Sequence, residues 1–72
     1  MTEVPIRDDM IRLGQFLKLA NLVESGADAR PLIRSGAVRV NGEVETRRGR
    51  QLRAGDRVSA AGVDVRVVSD VN

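Results

Sequence analysis

Polar and apolar positions change rhythm twice along the chain. Between Ile11 and Val23, Leu13, Phe16, Leu17 and Ala20 recur at i, i+3, i+4 and i+7, the spacing of one helix face. Leu19, Leu22 and Val23 widen that stripe and predict a first helix covered on more than one side. Asp8 or Asp9 is placed to cap it, and Phe16, the single aromatic residue, is its core plug. Ahead of it, residues 1–10 are expected to form a mobile polar lead in which Pro5 discourages helix.

Ser25-Gly26 ends the first helix and offers a cap for the second, with Asp28 in its positive first turn. Ala29, Leu32 and Ile33 form its buried face, while Arg30 and Arg34, four apart, share an exposed one. Pro31 cannot lie deep in a helix, so the start is expected late, near Ala27 or Asp28. Ser35-Gly36 closes it with a residue suited to the left-handed C-terminal position.

From Gly36 onward the period falls to two. Val38-Arg39-Val40-Asn41-Gly42-Glu43-Val44 alternates across an Asn-Gly pair, the strongest short-range hairpin signal. Val38, Val40 and Val44 are expected to point inward and Arg39 outward. Arg47-Arg48-Gly49-Arg50 then makes a loop, and Leu52 looks like a single core anchor. Turns at Gly55-Asp56 and Ala61-Gly62 frame two further strands, the second with Val63, Val65 and Val67 on one face. The sum is an α+β domain over residues 11–68, with a tail at 69–72. Two short N-terminal helices pack on a small, mostly antiparallel sheet of about four short strands.

Composition narrows the chemistry. With 72 residues the core is thin, and the absence of Cys and His removes disulfides, the commonest metal ligands and the commonest general base. No cofactor or metal is expected. No apolar run is long enough to span a bilayer, and Met1–Pro5 has neither a basic start nor an apolar core, so a cytoplasmic protein is expected.

Charge is unevenly spread. Residues 30–57 hold eight arginines against three acids, whereas residues 1–29 hold three basic residues against five acidic ones. All but one of the basic residues are arginine, whose planar fork suits phosphate. That is the footprint of a polyanion binder.

The succession Arg12-Leu13, Gln15-Phe16-Leu17, Ser25-Gly26-Ala27-Asp28-Ala29-Arg30, Ile33, Gly36, Val38-Arg39-Val40-Asn41-Gly42 and Gly55-Asp56 resembles the ribosomal S-four-type RNA-binding domain, or alpha-L RNA-binding motif. The Ser-Gly-Ala-Asp-Ala-Arg start and the Val-Glu-Thr-Arg-Arg run look most like its small stand-alone YbcJ-like proteins. The resemblance implies that the second helix and the loop after the hairpin line one RNA-binding face. It would carry Arg30 and Arg34 on the helix, Arg39 and Asn41 on the hairpin, and Arg47, Arg48 and Arg50 in the loop. Arg53, beside the Gly55-Asp56 turn, is added from charge and position, with Asp56 as a rival partner. Two residues depart from the family pattern: Gly14, where an acidic residue is usual, and Pro31 inside the second helix.

With no Tyr or Trp and Phe16 committed to the core, no aromatic platform exists for single-stranded bases. Recognition of structured RNA, ribosomal or transfer, by shape and phosphate contacts is therefore expected from a monomer. Five to seven arginines on phosphates would give a log–log salt slope on the order of −4 to −6. The alternative is a protein-interaction module within a ribonucleoprotein, docking an acidic partner on the same arginines. DNA binding by the helix pair is disfavoured, because the second helix is short and presents no Asn or Gln to read adenine. Glu43 and Glu45 lie two apart on one strand, but no nucleophile or metal set accompanies them, so they are read as partners for arginines and not as a catalytic pair.

Overall fold

The computed structural model describes residues 1–70. It is an α+β fold with two helices on one face of a mixed, mostly antiparallel sheet. The strands are β1 (Thr2–Ile6), β2 (Ile11–Arg12), β3 (Arg39–Val40), β4 (Glu43–Val44), β5 (Gln51–Leu52), β6 (Arg57–Ala60) and β7 (Val63–Ser69). The helices are α1 (Leu13–Leu19) and α2 (Gly26–Arg34). Five strands form one sheet in the order β1-β7-β6-β3-β4, and β2 pairs with β5 in a two-stranded ribbon.

The strand count exceeds the expected four, and the extra strands lie where sequence rhythm is silent. Residues 1–10, expected to be a mobile lead, instead contribute β1, which runs parallel to β7. Pro5 is tolerated because β1 is an edge strand with β7 as its one neighbour. Burial of Ile6 at 3% exposure ties the strand to the core. Residues 11 and 12, counted toward the first helix, form β2 against Gln51–Leu52. Of the expected tail, Ser69 ends β7, while residues 71–72 lie outside the described residues.

Both ends of α1 differ from expectation. Asp8 and Asp9 do not cap it; Arg12 occupies the N-cap position with no side-chain hydrogen bond. The first helical N–H groups donate instead to carbonyls of the basic loop, Leu13 N to Arg50 O at 2.8 Å and Gly14 N to Arg48 O at 3.1 Å. The helix stops at Leu19 because Asn21 takes a left-handed φ of 59°. Asn21 N donates to Lys18 O and Leu22 N to Leu17 O, the paired bonds of a Schellman ending. Leu19 is consequently exposed, and Leu22 and Val23 pack on the core from beyond the helix.

Helix α2 begins at Gly26, earlier than Pro31 suggested. Ser25 Oγ accepts from Asp28 N at 3.3 Å and donates to Asp28 Oδ2 at 3.1 Å, a cap strong enough to set the start. Pro31 then stands sixth in the helix, and the carbonyl that its missing N–H would bond belongs to exposed Ala27, which opens on solvent. Gly36, at φ 82°, closes the helix as expected.

The core joins Leu13, Phe16 and Leu17 of α1, Ala29 and Ile33 of α2, and the inward valines of the sheet. Phe16 and Leu52 are fully buried, as their patterns predict. Val44 is not: it is 49% exposed. The Asn41-Gly42 turn pairs Val40 with Glu43 and Arg39 with Val44. A two-residue loop always pairs positions of opposite parity, so Val40 and Val44 must face opposite sides. Val63, expected inward with Val65 and Val67, lies at the end of the strand and is 41% exposed.

Candidate nucleic-acid interface

The basic loop is held in place by α1 and by a buried carboxylate. Its carbonyls satisfy the α1 N-terminus, so the backbone at Arg48 and Arg50 is fixed relative to that helix. Glu45, just after β4, is 6% exposed and turns its carboxylate into the loop. Oε2 accepts from Arg47 N at 3.0 Å and Arg47 Nε at 3.2 Å, and Oε1 accepts from Arg50 Nη1 at 2.8 Å. The Arg50 hydrogen bond, followed by the Arg47 backbone N–H, lowers the Glu45 pKa from the ordinary 4.5 to about 2, outweighing burial, which acts the other way. Glu45 is thus the arginine partner its position predicted.

Gly14 gives the loop its closest approach. A Cβ on Gly14 would stand 2.6 Å from Arg48 Cγ, so the stem of Arg48 lies where any side chain at 14 would be. The Arg48 stem takes this place because residue 14 carries no side chain.

The residues predicted from sequence separate into three groups. Arg30 and Arg34 of α2 meet Arg48 and Thr46 around a crease of about 250 Å³ floored by Ile33. Arg47 and Arg50, tied to Glu45, border an adjoining hollow with Gly49 and Gln51. Arg39, Asn41 and Arg53 do not join them. Arg39 pairs with Val44 and Ser59 on the sheet face turned away from the helices, and its Nη1 donates to Gly42 O at 3.2 Å. Asn41, at φ 53°, donates through Nδ2 to Asp56 Oδ1 and accepts from Arg57 N, tying the hairpin tip to the next turn. Arg53 enters that turn by its backbone, N donating to Asp56 Oδ2 at 2.8 Å.

Among the described residues, ion pairs within 4 Å form only at Glu45. The cations of the crease are therefore uncompensated, and their field is available to an anion.

Sequence reasoning missed a contribution from α1. Arg12, Gln15 and Lys18 reach the loop from the other side and, with Arg48, surround a hollow of about 410 Å³. The available signal was the polar gap in the helical stripe: Gly14, Gln15 and Lys18 occupy the face that Leu13, Phe16 and Leu17 leave open. A further hollow of about 710 Å³ lies between β1 and α1 and touches none of the eight predicted residues.

Two further observations bear on function class. No group of three or more His, Cys, Asp or Glu among the described residues is arranged to hold a metal ion. No helix among them is long and apolar enough to cross a membrane.

Known proteins resemble this chain in sequence and fold. The sequence model of the S4 domain matches residues 4–68. A probable ribosome maturation protein, RlbA of Bacillus subtilis, is 46% identical over 59 residues, covering 82% of this chain and 83% of the relative. A putative RNA-binding protein, YbcJ of Escherichia coli, is also 46% identical over 59 residues, covering 82% and 84%. The solution structure of YbcJ, described as revealing an alpha-L motif involved in RNA binding, superposes with a TM-score of 0.73 at 40% identity, covering 94% of this chain and 87% of that one.

Proposed function

The chain belongs to the S4 domain family and is an RNA-binding protein, and from that premise we propose that it grips the backbone of folded RNA in the crease between α2 and the basic loop. The observation that carries this reading is the convergence of Arg30, Arg34 and Arg48 on one crease with no carboxylate paired to them. Guanidinium forks spaced along a rigid edge bind successive phosphates, and the Glu45 clamp holds Arg47 and Arg50 at the flank. Lacking aromatic side chains to stack splayed strands, this surface suits the regular backbone of duplex or junction RNA, as in ribosomal or transfer RNA. No observation favours an acidic protein partner over RNA. The chain acts as a monomer in this reading.

The test is binding to structured ribosomal RNA fragments across a salt series, comparing wild type with Arg30→Ala/Arg34→Ala/Arg48→Ala. Loss of three phosphate contacts is expected to flatten the log–log salt slope by roughly 2–3 and to weaken binding at low salt. A triple variant with wild-type affinity and slope would sink the crease as the RNA site.

A further inference from the structure

The hollow on the α1 side of the loop differs in kind from the crease. At about 410 Å³ it falls within the ~300–1,000 Å³ range of small-ligand sites. Gly14, Gly26 and Gly49 line it, so bare backbone makes part of its wall. Arg12 lies against Gly49, its Nη1 3.6 Å from where a Cβ would stand, and the Arg48 stem lies over Gly14. Gln15 and Lys18 complete the rim.

These groups make up a complementary set. A guanidinium plane stacks on a base, as Arg does where RNA-binding surfaces lack aromatics. A carboxamide offers one acceptor and two donors to a base edge. An ammonium serves as a point charge for phosphate. The crease, by contrast, offers three arginines and a threonine hydroxyl, with no carboxamide to read a base edge. Because Arg48 borders both, whatever occupies the hollow lies one side chain away from the gripped backbone.

We propose that this glycine-lined hollow receives a single unstacked nucleotide, extruded from a bulge or junction of the RNA whose backbone sits in the crease. The proposal rests on the RNA reading above and adds a preference to it. A duplex interrupted by one unpaired nucleotide binds better than the same duplex fully paired, and the preference belongs to the base and not to the bend.

Three RNA hairpins separate the contributions: a fully paired stem, the same stem with one bulged nucleotide (2-aminopurine as reporter), and the same bulge without its base. Wild type is expected to favour the bulged stem over the other two by roughly tenfold, with a change in reporter fluorescence on binding. Gly26→Leu adds a bulky side chain to the lining of the hollow, at a position where a Cβ meets no heavy atom within 4 Å. It is expected to bring the bulged stem down to the affinity of the paired one. Gly49→Val, whose Cβ meets only the Arg12 guanidinium, is the second variant and is expected to do the same. Circular dichroism checks that both remain folded. Equal affinity of wild type for bulged, baseless and paired stems overturns the nucleotide site alone, as does an unchanged preference in both folded variants. Failure to bind any of the three stems overturns the reading beneath it as well.

Discussion

Glu45 shows how one acid serves a basic surface. Its carboxylate is held below its ordinary pKa by Arg50 and Arg47, so the folded state binds a proton less readily than the unfolded chain. The clamp therefore stabilises the protein above about pH 4.5 and is lost as pH falls toward 2. Glu45→Gln should cost about 2 kcal/mol at neutral pH, the scale of hydrogen bonds to charged groups, and should flatten the acid limb of a pH–stability curve. Chemical denaturation at several pH values checks both. The hairpin supplies a paired prediction. Val40→Thr buries a hydroxyl at a position only 2% exposed and should cost roughly 1–3 kcal/mol. Val44→Thr, on the outer face, should stay within about 0.5 kcal/mol of wild type. Alternation alone treats these two valines as equivalents; only the loop length, which sets the parity of pairing, tells them apart.

At the level of elements, what could be read from the sequence was whatever carries its own local signal. The Ser25 cap, the Gly36 stop, the Asn41-Gly42 turn, the Phe16 stripe and the strand around Val65 and Val67 each depend on residues a few positions apart. The N-terminal boundary of α1 and the strands β1, β2 and β5 do not. Strands β2 and β5 are two residues each, too short to show a period, and exist because each completes the other. The α1 N-terminus is capped by carbonyls more than thirty positions away, a partner no local pattern reveals. The C-terminal boundary, expected at Ser25-Gly26, falls earlier for another reason: Asn21 takes a left-handed φ that the apolar stripe running on to Leu22 and Val23 does not reveal. Asn21→Gly should leave thermal stability nearly unchanged, whereas Asn21→Val should cost about 1–2 kcal/mol, because a β-branched residue resists positive φ.

Across the whole molecule, the arginine excess of residues 30–57 does not form one patch. The fold sends Arg30, Arg34 and Arg48 to the crease and adds Arg12 and Lys18 beside it, while Arg39 goes to the opposite sheet face and Asn41 and Arg53 knit the Asp56 turn. A charge count along the chain cannot show sidedness, because in a sheet neighbours in sequence face opposite ways. Arg34→Ala should accordingly reduce the salt slope by roughly 0.9, and Arg39→Ala should leave it almost unchanged. The pairing of β1 with β7 has a kinetic side. Residues 2–6 meet residues 65–69 across nearly the full span of the chain, so this ladder carries the largest loop-closure cost in the fold. The helices and the inner hairpins can form before it, which makes docking of β1 a late event on the folding route. Ile6→Ala should then accelerate unfolding while leaving the refolding rate close to that of wild type, a division that stopped-flow measurement in denaturant would read directly.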